Sequence, residues 1–151
     1  MKKCAGVPEV KLRLDPTRCL PGREHVISTP DQALKLMRLM AEDDAQESFI
    51  AIYLASNNAV LSVQRVAIGG FGTAPVDPKA LFASALLSGA TAFIVGHNHP
   101  SGNAQPSAAD EQLTKQLVDV SRLLTLRLLD HLIFSATESF SFAQSGRIQF
   151  G

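Results

Sequence analysis

Thr91-Ala92-Phe93-Ile94-Val95-Gly96-His97-Asn98-His99-Pro100-Ser101-Gly102-Asn103-Ala104-Gln105-Pro106-Ser107-Ala108-Ala109-Asp110 changes character twice within twenty residues. Thr91–Val95 is short and fully apolar, as expected of a strand in the middle of a sheet. His97–Pro106 is polar and rich in turn-forming residues, so it reads as a loop. A helix follows from about Ser107 to Leu124, because Leu113, Leu117, Val120 and Leu124 recur on one face. Buried strand, loop and helix in that order point to an α/β domain.

The flanking sequence extends this reading. Ser28-Thr29-Pro30-Asp31 announces a helix with a hydroxyl cap and proline at its first position. Ala33, Leu34, Met37, Met40 and Ala41 continue it until the acidic run Glu42-Asp43-Asp44. Ser48–Ala55 and Val60–Ile68 are strand candidates, and Asn57-Asn58 between them suits a hairpin turn. Gly69-Gly70-Phe71-Gly72 is a mobile-looking connection without the helix that a phosphate loop requires. Asp77-Pro78 opens a second helix that stops at Gly89. Arg127–Ser135 and Glu138–Phe142 read as strands, and Phe140 and Phe142 as sheet packing. The order is helix, hairpin, helix, strand, helix, strand, strand, which predicts a mixed β-sheet flanked by helices.

The chain has 151 residues, which predicts one domain over 26–151 and a short extension over 1–25. Val10–Leu14 in that extension is a candidate edge strand, which would allow a homodimer by strand pairing. With 46% apolar and 19% charged residues there is ample material for a core. The 14 basic and 14 acidic side chains cancel, so direct nucleic-acid binding has no support from net charge. No apolar run is long enough to span a membrane, and the basic start meets Pro8 before any segment of signal length, so the expected location is cytoplasmic. Cys4 and Cys19 fit no paired-cysteine zinc pattern and read as free thiols.

The loop between strand and helix carries the chemistry. In extended backbone His97 and His99 project to one side while Asn98 points away. Two imidazoles there make half of a zinc site, and Asp110 in the next helix's first turn can add a carboxylate. Ser107-x-x-Asp110 is also a helix N-cap signature, close to a capping box, and both roles can coexist. H-x-H alone arises by chance in about one such sequence in ten. With 13 Ser and 8 Asp in the chain, the full pattern H-x-H-x7-S-x2-D has a chance rate of roughly one in two thousand. Glu9, Glu24, Glu42 and Glu47 all precede the histidines, and spacing alone does not choose among them.

His97, His99, Ser107 and Asp110 resemble the JAMM motif of the MPN/JAB metalloprotease superfamily. The wording His-Asn-His-Pro-Ser-Gly-Asn, with Leu129-Asp130-His131-Leu132-Ile133 downstream, is similar to the RadC-like JAB-domain branch from about residue 28 to the end. The resemblance implies a JAB/MPN-type, cytidine-deaminase-like α/β fold. It also implies Zn2+ held by His97, His99 and Asp110, and, through Gln46-Glu47-Ser48-Phe49, Glu47 as the proton carrier. Ser107 would donate to the oxyanion, and the substrate would be a peptide or isopeptide bond.

Other residues are read more plainly. His131 is expected to be a strand histidine satisfied by backbone or a neighbouring carboxylate, with a substrate contact or support of the site as the alternative. Asn98 and Ser101 are expected to serve the turn, and His25 the surface. A DNA-repair-associated accessory protein and a catalytically inactive MPN-type interaction domain are the competing functions. The first lacks a glycine-bracketed hairpin within the first 45 residues. A nucleoside deaminase would need H-x-E and P-C-x-x-C, which are absent.

Overall fold

Helix α1 (Pro30–Met40) begins as its sequence demands, with Thr29 Oγ1 accepting from the Gln32 N–H and Gln32 Oε1 accepting from the Thr29 N–H. The structure, a computed structural model, describes residues 26–41, 45–69 and 76–150. The 1–25 extension with Val10–Leu14, Cys4 and Cys19 lies outside the described residues, as do Glu42-Asp43-Asp44 and Gly70-Phe71-Gly72.

Strands β1 (Glu47–Leu54) and β2 (Val60–Gly69) form the expected hairpin, with Asn58 at φ 62° supplying the left-handed turn residue. Helix α2 (Pro78–Leu87) is capped by Asp77, and the chain turns at Gly89, φ 66°. Strand β3 (Ala92–Asn98) is longer than the sequence suggested: His97 and Asn98 belong to it rather than to the loop. The reason is pairing on both sides, since His97 faces Phe49 of β1 and Ile133 of β4. Helix α3 (Ala108–Leu123) leads to β4 (Arg127–Phe134) and β5 (Ser139–Ser141). Phe142, expected to end that last strand, instead starts a short helix, α4 (Phe142–Ser145), because Ser141 Oγ and Asp130 Oδ1 accept the N–H groups of Gln144 and Ala143.

The five strands form one mixed sheet in the order β2-β1-β3-β4-β5, parallel only between β3 and β4. Alternation sends Ile50, Ile52, Leu54, Ala92 and Ile94 to the face covered by α1. Phe49, Ala51, Tyr53, Phe93 and Val95 go to the face covered by α2, α3 and α4. This is the predicted α/β domain with helices on both sides of the sheet. At Gly96 α1 packs tightly on the sheet: a Cβ there would stand 2.4 Å from Met37 Sδ and 2.8 Å from the Leu132 carbonyl oxygen. Only glycine fits that approach.

An irregularity in β4 decides which way His131 faces. Phe93 pairs with Leu128 but Ile94 with Asp130, so Leu129 is an extra residue in β4. Without this bulge, strict alternation would turn His131 toward α1. With it, His131 emerges on the same face as His97.

Candidate metal centre

His97 leaves β3 on the face covered by α2, α3 and α4, where the Phe49 ring directly opposite stacks on it at 5.7 Å and 14°. His99 follows two residues later, its N–H still bonded to the Phe134 carbonyl at 2.8 Å, so the strand-like path persists past Asn98. Its Nδ1 lies 2.8 Å from the Asn103 carbonyl oxygen. A carbonyl only accepts, so Nδ1 carries the proton and Nε2 faces the site. The two Nε2 atoms stand 3.0 Å apart.

Asp110 closes the group from α3, with Oδ1 3.1 Å from His97 Nε2 and Oδ2 3.5 Å from His99 Nε2. Ser107 holds that carboxylate by donating both its N–H and its hydroxyl to Oδ2, each at 2.7 Å, while its Oγ accepts the Asp110 N–H at 3.2 Å. The expected capping box is therefore formed, and it fixes the carboxylate at the same time. The Ser107 hydroxyl proton points at Asp110 here. Glu47, the first residue of β1, is half-buried and places Oε1 3.8 Å from His97 Nε2. Glu9, Glu24 and Glu42 lie outside the described residues. Glu47, His97 and His99 form a set able to hold a metal ion, their ligand atoms lying within 4.8 Å of one another.

Two residues differ from their sequence reading. Asn98 serves no turn: it is buried, and its Oδ1 accepts the Ser48 N–H at 2.7 Å while its Nδ2 donates to the Gln46 carbonyl at 2.9 Å. It thereby grips the backbone on both sides of Glu47. His131 is satisfied by neither backbone nor carboxylate. Its Nε2 lies 2.9 Å from His97 Nδ1 and its Nδ1 2.6 Å from Thr114 Oγ1. The spacing pattern had no means of showing this, because the bulge at Leu129 sets the orientation of His131.

A family model for the RadC-like JAB domain matches residues 27–147. The chain belongs to this family. A UPF0758 protein of Burkholderia cenocepacia (strain HI2424) is 38% identical over 120 residues, covering 80% of this chain and 47% of its own. One from Burkholderia mallei (strain SAVP1) is 35% identical over 123 residues, covering 82% and 44%. One from Thiobacillus denitrificans is 34% identical over 122 residues, covering 81% and 54%. The chain thus spans about half the length of the curated relatives it matches. The match runs from the start of the helix-flanked sheet through α4, so every residue of the site lies in the JAB domain.

Charge in this JAB domain is arranged around Asp110. Burial pushes its carboxyl up, but hydrogen bonds to His97 and His99, the positive potential of protonated His97 and the Ser107 N–H outweigh it, and the net position is far below the usual carboxylate range. The hydrogen bond to Asp110 raises His99 above the ordinary imidazole value, against a smaller opposing effect of burial. Burial holds His131 well below that value, and His97 nearby lowers it further. His131 is accordingly neutral.

The donor set fits a small divalent ion. Ligands at 2.0–2.1 Å around a tetrahedral zinc are separated from one another by about 3.3 Å. The two imidazole Nε2 atoms stand 3.0 Å apart, and the Asp110 carboxylate spans them, with Oδ1 3.1 Å from His97 and Oδ2 3.5 Å from His99, so the three groups meet at about that spacing. Two imidazoles and a carboxylate suit zinc by chemistry as well. No helix among the described residues is long and apolar enough to cross a membrane.

Proposed function

We propose that this chain is a zinc-dependent metallopeptidase or isopeptidase, cutting an amide bond with an activated water. The observation that carries the reading is the convergence of His97 Nε2, His99 Nε2 and the Asp110 carboxylate within 3.0–3.5 Å of one another, with Glu47 set slightly farther out. JAB/MPN relatives include metalloproteases, which agrees with it. In this reading His97, His99 and Asp110 hold the ion. When bound, zinc supplies Lewis acidity, polarising the scissile carbonyl and bringing a water's pKa to about 7.

The chain's own residues do the rest. Glu47 Oε1, 3.8 Å from His97 Nε2, is farther than the Asp110 oxygen and stands at the edge of the ligand set, where it can meet a water brought to the ion. It takes the proton as the water oxygen bonds to the carbonyl carbon. The same proton then passes from Glu47 to the amine nitrogen as the C–N bond breaks, leaving an acid and an amine. Ser107 rotates its hydroxyl from Asp110 Oδ2 to the substrate oxyanion, and its backbone N–H continues to hold that carboxylate oxygen. The substrate in this reading is a peptide or isopeptide.

Metal analysis of untagged protein tests the reading. About one zinc per chain in the wild type, lost in Asp110→Ala but kept in Glu47→Gln, is expected. Amide hydrolysis should then be present in the wild type and absent in both variants. A wild type that neither carries zinc nor takes it up overturns the catalytic reading in favour of an inactive interaction domain.

A further inference from the structure

The His97 imidazole has one edge in the site and one in the core. Its Nε2 faces His99, Asp110 and Glu47, whereas its Nδ1 faces His131 Nε2 at 2.9 Å. His131 is fully buried, edge-on to Phe49 at 5.6 Å and stacked on Phe142 at 5.2 Å. Such surroundings exclude an imidazolium there. Behind it Thr114 Oγ1 lies 2.6 Å from His131 Nδ1 and 2.6 Å from the main-chain oxygen of Asp110.

The direction of every hydrogen bond in this row is set by its far end. The Asp110 carbonyl has no proton, so the one hydroxyl proton of Thr114 is committed to it. Thr114 Oγ1 therefore accepts from His131, which places the His131 proton on Nδ1. A neutral imidazole protonated there has its lone pair on Nε2 and accepts from His97 Nδ1–H. Once His97 is neutral, having given up the proton it shares with Asp110 Oδ1, its lone pair is on Nε2, facing the site.

We propose that Thr114 and His131 are positioning residues that fix the tautomer of His97, so that its ligand lone pair is in place before any metal arrives. The proposal rests on the zinc-site reading and adds what orients its most buried ligand. Asp110 contributes twice, through its carboxylate in the site and through its peptide oxygen at the origin of the row. The Leu129 bulge in β4 is what turns His131 to meet His97.

Nitrogen-resolved NMR of the metal-free wild type at mildly alkaline pH reads the tautomers directly. Protonated Nδ1 and unprotonated Nε2 are expected on both His97 and His131. A proton on His97 Nε2 overturns the proposal. Zinc affinity, measured by competition with a chelator, gives the second readout. His131→Leu, which removes the acceptor, should weaken binding by about 10- to 100-fold. His131→Gln, whose side-chain oxygen can accept from His97 Nδ1, should recover most of it. Equal affinity in His131→Leu and wild type overturns the proposal and leaves the metal site standing. A wild type without zinc affinity defeats the metal reading instead, and the NMR result still decides the tautomer. Should His131→Leu fail to fold, Thr114→Val is expected to weaken zinc binding, and an unchanged affinity in that variant counts against the proposal.

Discussion

Asn98 stands between the two site histidines in sequence and on the opposite face of the sheet in space. Its carboxamide takes the Ser48 N–H and gives a proton to the Gln46 carbonyl, so the peptide groups on either side of Glu47 are held by one side chain. Asn98→Ala should destabilise the protein by about 1–3 kcal/mol, the cost of leaving a buried donor unpaired. It should leave zinc stoichiometry intact, since no ligand touches Asn98. Urea unfolding with metal analysis checks both, and loss of zinc would place Asn98 in the site itself. The charged pair His99–Asp110 makes a second prediction. Asp110 lies below its ordinary 3.8 when folded, so its contribution to stability is present above that pH and is lost as pH falls through the folded value. His99 lies above its ordinary 6.5, so its contribution is complete below that pH and is lost as pH rises through the folded value. The pair therefore stabilises the metal-free protein most between those two ordinary values. The urea midpoint of metal-free protein should fall as pH climbs beyond about 6.5, while zinc affinity climbs over the same range because protons compete for the imidazoles. His99→Gln should abolish that alkaline decline, and a decline that persists in it would assign the effect to another group. At this scale the sequence was informative where chemistry repeats at fixed offsets, as at His97, His99 and Asp110. It misread Asn98 and held support of the site only as the alternative for His131, because the partners of both are contributed by other strands and a helix.

Helix α3 shows how one local motif serves two ends. Ser107 caps it, and the same hydroxyl holds the Asp110 carboxylate that faces the histidines. Two substitutions separate these duties. Alanine at an N-cap costs about 0.5–2 kcal/mol, whereas glycine costs only a few tenths. Ser107→Ala should therefore lower stability by about 1 kcal/mol and Ser107→Gly much less. Both should weaken zinc binding to a similar degree, because both release Asp110 Oδ2 from the hydroxyl. Denaturant unfolding and chelator competition read the two effects, and zinc binding that tracks stability instead would mean the hydroxyl acts only as a cap. The cap was legible because it depends on neighbours three residues apart. The end of β3 was not, because Gly96-His97-Asn98 resembles a turn until β1 and β4 pair with it. The same holds in part for α4, whose Ser141 cap is local but whose Ala143 N–H is accepted by Asp130 from β4.

Across the whole molecule, the site joins pieces that are far apart in the chain. Glu47 opens β1, His97 lies near the end of β3 with His99 just past it, and Asp110 lies in the first turn of α3. The sheet and the helices packed on it carry these ends to one place, and Gly96 lets α1 seat Met37 directly behind β3. An ion held by His97, His99 and Asp110 would tie α3 to the sheet through bonds the unfolded chain cannot assemble. Binding of that kind adds RT ln(1 + [L]/Kd), about 4 kcal/mol at a thousandfold excess of free zinc over Kd. For a chain of 151 residues, each kcal/mol moves the midpoint by roughly 2–4 °C, so saturating zinc should raise Tm by about 8–16 °C. A chelator should reverse the rise, and it should grow with the logarithm of free zinc. Asp110→Ala should abolish most of it, and Glu47→Gln should leave it nearly whole, because a proton carrier outside the ligand set adds little to binding. An equal loss of the rise in both variants would instead make Glu47 a ligand, and the shared boundary of β1, β3 and α3 would then hold the ion through both carboxylates.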